Sequence, residues 1–221
     1  MKWAIQTERI VLIQIAVLLT IMQSYQRERG TNAWPDQVLV EERSQIDAIA
    51  NYIDHVLEEL TSFTHIFNAG IASSLLHNLL NQHLPNGPTT DGKNVLIDDV
   101  LRLTSLFEAT TKLPTIKLQL EVVTTDMCRL FHADYYRQRL LCTYRGPGTE
   151  WLDHSNVNRD ALGKGNNNNI VKDETSVHRA NTFDVLILKG QHYGEGELAV
   201  VHRSPPIVRH NTTRLLLKID E

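Results

Sequence analysis

Apolar positions recur at helical spacing up to about Pro114; beyond it, short runs of β-formers alternate with turn residues. Residues 3–28 read as a first helix, and Gly30, Pro35 and Asp36 mark the loop that follows. Over residues 38–68, Ile46, Ile49, Ile53, Val56, Leu60, Phe63 and Phe67 advance by alternating steps of 3 and 4, an a/d seam. Glu41, Glu42, Arg43, Asp47, Asp54, Glu58 and Glu59 occupy the opposite face. The spacing predicts one long helix packed either in an intramolecular bundle or in a dimeric coiled coil. Residues 71–84 and 94–112 repeat the helical pattern, separated by a break rich in Pro, Gly and Asn, and Pro114 stops the last of these helices.

Residues 115–132 read as a further amphipathic helix, with Leu120, Val123, Met127, Leu130 and Phe131 on one side. Strands are expected at 135–144, 149–153, 183–189 and 197–203, with a tight turn at 146–148 and a closing helix at 209–219. Residues 154–182 read as a long polar loop. The fold class expected is α+β: an antiparallel helical region over 1–112, then an antiparallel sheet with flanking helices over 113–221.

Composition changes this picture little. Of 221 residues, 42% are hydrophobic and 22% charged, ordinary values for a globular chain. A net charge of -4 argues against a nucleic-acid partner held by bulk electrostatics. Cys128 and Cys142 are too few for a disulfide scaffold and match no zinc spacing, so both are expected as small buried apolar side chains in a reducing, cytoplasmic setting. The apolar run 10–22 is shorter than a membrane-spanning helix. It reads as a packing helix, with a membrane anchor and a cleaved signal as the alternatives.

Candidate chemistry is sparse. His178, His192, His202 and His210 gather near the closing hairpin, but no carboxylate shares a matching spacing, so no metal ligands are assigned. Asp98 and Asp99, like Glu58 and Glu59, read as solvated faces. The stretch Gly163, Lys164, Gly165 lacks the Walker pattern, and Ser73 and Ser74 have no base nearby in sequence. No catalytic residue is assigned. Tyr136 and Trp151, with Val185 on a neighbouring strand, are the aromatic and apolar candidates for a small-molecule pocket, and Arg139 is the cation that an anionic ligand or a partner's acidic patch would meet.

Two stretches resemble the GAF domain, a sensor module related to PAS domains. Residues 121–141 (EVVTTDMCRLFHADYYRQRLL) are similar to that family's opening helix and first strand. Residues 183–217 are similar to its closing hairpin, with Gly196, Glu197 and Leu198 at a G-x-L step. The resemblance implies a non-enzymatic regulatory or sensor protein that binds a small ligand or a partner protein and relays through its helices as a dimer. The alternatives are a structural or assembly subunit with a degenerate GAF-like domain, and an enzyme whose scattered catalytic residues motif reading does not detect. The cofactor is unknown, and membrane association through residues 10–22 stays open.

Overall fold

The computed structural model describes residues 38–88 and 90–221. The expected first helix and the apolar run at 10–22 lie outside the described residues. Among the described residues, no helix is long and apolar enough to cross a membrane.

The core is a sandwich of two antiparallel sheets. In chain order the elements are β1 (Val38–Glu41), α1 (Asp47–Val56), β2 (Phe63–Asn68), α2 (Ser73–His83), α3 (Thr90–Thr111), β3 (Thr115–Val123) and β4 (Gln138–Arg145). They are followed by β5 (Glu150–Leu152), the short α4 (Asn167–Ile170), β6 (His178–Arg179), β7 (Val185–Lys189), β8 (Val201–Arg203) and β9 (Arg214–Asp220). The major sheet runs β1-β7-β4-β9-β3-β2 and the minor sheet β6-β5-β8. Every pairing is antiparallel.

The major sheet is covered on both faces, which is why β4, β7 and β9 read as near-continuous apolar runs rather than alternating ones. Leu140, Cys142, Val185, Ile187, Leu215, Leu217 and Ile219 pack with Ile49, Ile53, Leu80, Leu103 and Phe107 of the three long helices. On the other face, Leu141, Leu186, Leu188 and Leu216 meet Val200 and Trp151 between the sheets. The polar stretch 154–182 is not a bare loop. Its Val157, Ala161, Ile170, Val171 and Val177 cover Leu152, Val201 and Phe131, sealing the outside of the minor sheet.

Several expected helices are corrected. The single helix over 38–68 is instead β1, α1 and β2. The seam residues Ile49, Ile53 and Val56 are buried against the rest of the core, so they form an internal helix face and not a coiled coil. Phe63 and Phe67 lie on an edge strand paired with β3. The helix expected at 115–132 is β3 as far as Val123, with Ile116, Leu118 and Leu120 facing the helices at period two. The closing helix expected at 209–219 is the central strand β9, paired with β3 and β4. The GAF-like sheet with flanking helices is therefore replaced by a two-sheet sandwich, with strands from both ends of the chain in its major sheet.

Candidate metal and anion site

The geometry begins with one backbone bridge. His132 and His202 are directly opposed, each amide donating to the other's carbonyl at 3.0 and 2.9 Å, which extends the minor sheet beyond β8. Directly opposed residues project to the same face, and so do residues two apart on an extended chain. His132, Asp134 and His202 accordingly converge, each with a ligand atom within 4.8 Å of the others. Asp134 lies 3.6 Å from His132 Nε2 and 3.2 Å from His202 Nε2.

The surroundings set the protonation of each group. His132 Nδ1 lies 2.8 Å from the Leu130 carbonyl and donates to it, while Nε2 faces the carboxylate, to which it donates only as the protonated imidazolium. Burial opposes ionisation of Asp134, but hydrogen bonds from both histidines and the charge of Arg139 outweigh it and hold the carboxyl well below its ordinary range. The hydrogen bond to Asp134 raises His132. Burial lowers His202 despite the same carboxylate, favouring the neutral imidazole that a metal requires. Two imidazoles and one ionised carboxylate at this separation fit a small divalent ion with bonds of about 2.0–2.2 Å, once the three groups close slightly on it.

A cavity of about 60 Å³ opens between the sheets beside the histidines, with Leu141, Leu216, Arg139 and Arg214 in its wall. Arg214, only 1% exposed, starts β9. Its guanidinium donates to the hydroxyls of Ser204 at 2.9 Å, Thr143 at 2.9 Å and Thr149 at 2.7 Å. Nε has no hydrogen-bond partner. Burial pushes this arginine down to about 10, so the pocket holds a cation that is fixed by hydroxyls and incompletely satisfied.

Three of the four residues selected from sequence lie around the site, and Val185 lies apart. Arg139 lines the cavity and binds Asp134 at 2.6 Å. Tyr136 lies under the Arg139 guanidinium, 3.9 Å from its ring centroid. Trp151 packs between the sheets, stacks on His178 at 5.2 Å and is the cross-strand neighbour of His202. Val185 faces the helices on the far side of the major sheet. His178 pairs with the exposed Asp153, and His192 meets Tyr135 edge-on. Cys142 is buried as expected from its type, whereas Cys128 is exposed beside the cavity. Asp99 is not a solvated residue; it is buried and bonded to Arg43, Arg102 and Tyr144.

Sequence reasoning missed His132, Asp134 and Arg214. The available signal was a His-x-carboxylate step at 132–134 with a further histidine on a later strand. Assigning residues 115–132 to a helix hid it, because positions two apart on a helix do not share a face.

The fold is similar to that of several solved structures. The fold matches the Fe(II)/(alpha)ketoglutarate-dependent dioxygenase TqaL with a TM-score of 0.50 and 12% identity, covering 95% of this chain and 88% of that one. A dioxygenase for auxin oxidation from rice gives 0.41 and 14% over 79% of this chain and 62% of that one. A Pseudomonas putida prolyl-4-hydroxylase gives 0.38 and 10% over 90% and 97%. At these identities the TqaL match establishes a shared fold, a jelly-roll-type sandwich. It overturns the GAF resemblance and what rested on it: the sensor reading, the assembly-subunit alternative and the expectation of a non-enzyme, since the shared fold is one that carries a dioxygenase. No functionally curated protein matches the sequence significantly. Residues 35–220 match the model of the family described as Protein of unknown function (DUF1826), and the chain belongs to that family.

Proposed function

We propose that this protein is a non-haem Fe(II)-dependent oxygenase that uses a 2-oxo acid co-substrate such as 2-oxoglutarate. The observation that carries this reading is the convergence of His132, Asp134 and His202 on one face of a β-bridge, next to a buried arginine with an unpaired Nε. Two histidines and a carboxylate on one side of an ion, with positions left open, form the ligand set typical of Fe(II) oxygenases. An Fe(II) ion held there supplies the redox chemistry that activates dioxygen.

The remaining roles belong to the chain. Asp134 contributes the negative charge, and the Nε2 atoms of His132 and His202 contribute lone pairs. Arg214 binds the distal carboxylate of the co-substrate, a charge-assisted contact in a site where burial strengthens it. The Thr143, Thr149 and Ser204 hydroxyls hold the guanidinium in place before the ligand arrives. Leu141 and Leu216 form an apolar wall that excludes water.

The test is anaerobic titration with Fe(II), and with Co(II) as a spectroscopic substitute, followed by 2-oxoglutarate. Binding of one ion that is lost in D134A and H202A is expected, with 2-oxoglutarate binding to the metal-loaded protein lost in R214M. An ion that binds equally well to D134A would sink the assignment.

A further inference from the structure

The Asp134 carboxylate is not left to the two imidazoles. Arg139 Nη1 donates to its Oδ2 at 2.6 Å, while Nε and Nη2 of the same guanidinium donate to Asp220 Oδ2 at 2.8 and 2.7 Å. The register explains the second contact. Leu140 opposes Ile219, so Arg139 and Asp220 are cross-strand neighbours on the face of the major sheet that looks toward the minor one. Asp134 belongs to the segment that leaves the minor sheet ahead of β4. Arg139 thus ties a carboxylate at the end of one sheet to an anchor in the other.

Three features distinguish this from an ordinary surface ion pair. The Arg139 side chain is 10% exposed and that of Asp220 is fully buried. The guanidinium carbon sits over the Tyr136 ring, 3.9 Å from its centroid, which limits its remaining freedom. Asp220 keeps a buried Oδ1 with no hydrogen-bond partner, a cost the fold bears while the other oxygen holds Arg139. Asp220 also offsets the charge of Arg139, so a cation beside Asp134 is not opposed by a bare guanidinium.

We propose that Arg139 is a positioning residue for the metal-binding carboxylate: it occupies Oδ2 of Asp134, the oxygen that also lies 3.2 Å from His202 Nε2, and leaves Oδ1, 3.6 Å from His132 Nε2, to take the ion as a single oxygen. The inference rests on the reading of His132, Asp134 and His202 as metal ligands. Lysine keeps the charge but cannot span two carboxylates as a planar fork.

Co(II) affinity and visible spectrum are measured for the wild type, R139K, R139Q and D134A, with circular dichroism and thermal melts of the ion-free proteins as the folding control. Supporting contacts to metal ligands typically matter by about 10–100-fold in affinity. R139K is therefore expected to bind Co(II) at least about ten-fold more weakly, with an altered spectrum as the freed oxygen joins the coordination. Wild-type affinity and spectrum in R139K would overturn the proposal. Should R139K not fold, R139Q carries the test: it removes a positive charge near the ion, so weakened binding supports positioning, and unchanged or tighter binding overturns it. Co(II) binding that is absent in the wild type or unaffected in D134A would defeat the metal reading itself, a result separable from the failure of R139K alone.

Discussion

At the residue scale, the chemistry of the chain depends on a few buried charges whose partners lie far away in sequence. Asp99 is the plainest case outside the candidate site. Arg43 holds it through Nη1 at 2.7 Å and Nη2 at 3.2 Å, Tyr144 donates at 2.7 Å, and Arg102 donates at 3.2 Å while reaching Glu41. D99N keeps the shape but removes the charge that pairs with Arg43 and the buried Arg102, and we expect it to lose about 3–5 kcal/mol in denaturant unfolding. Of this network, the sequence displayed the residues but not the pairing: Asp98 and Asp99 look alike as text, and only the packing of α3 against the major sheet makes one of them a buried hub. Arg139 was legible as a candidate cation because it sits on a β-rich run next to Tyr136. His132 and Asp134 were not legible, because their shared face exists only if the chain there is extended.

At the element scale, hydrophobic periodicity identified α2, α3, β4, β5 and β7 within a few residues and failed where an element was short or its pattern ambiguous. The seam from Ile46 to Phe67 crosses from helix to strand without losing its apolar spacing, since Phe67 is buried and Phe63 partly buried for a different reason on β2. In β3 the alternation of Ile116, Leu118 and Leu120 was readable at period two, but its polar partners also suit a helix. Close approaches between elements leave no periodic trace at all. Gly190 lies where an added Cβ would meet the Tyr136 carbonyl oxygen at 1.9 Å. Its turn is bonded to the segment after Asp134, with Gln191 N donating to Asp134 O at 2.8 Å and His192 N to Tyr136 O at 3.1 Å. G190A must displace this segment. We expect a folded but destabilised protein by thermal melting, with Co(II) affinity reduced alongside that of R139K, because both substitutions move the same carboxylate.

At the scale of the whole molecule, stability is coupled to protons and, under the proposed metal reading, to an ion. Burial alone would raise the Asp99 carboxyl, but the Arg43 charge and hydrogen bonds, with Arg102 and Tyr144, hold it below its ordinary value. A carboxyl depressed in the folded state stabilises above its unfolded value, near about 4, and that contribution is lost as pH falls through the folded value. Acid titration should show a loss of stability below about pH 4 that is blunted in D99N. An ion that binds only the folded chain should stabilise it by about 2.7 kcal/mol at a free concentration of roughly 100 times its Kd. A Co(II)-dependent rise in Tm that is absent in D134A is the expected result. By itself, the sequence determined that the composition is that of a globular chain and where several helices and strands run, because these follow from local periodicity and composition. Only the tertiary structure decided the sandwich, the role of β9 as a central strand and the meeting of His132, Asp134, His202 and Arg214. Strand pairing and side-chain convergence are long-range outcomes, settled when a common core is buried, and spacing along the chain does not encode them.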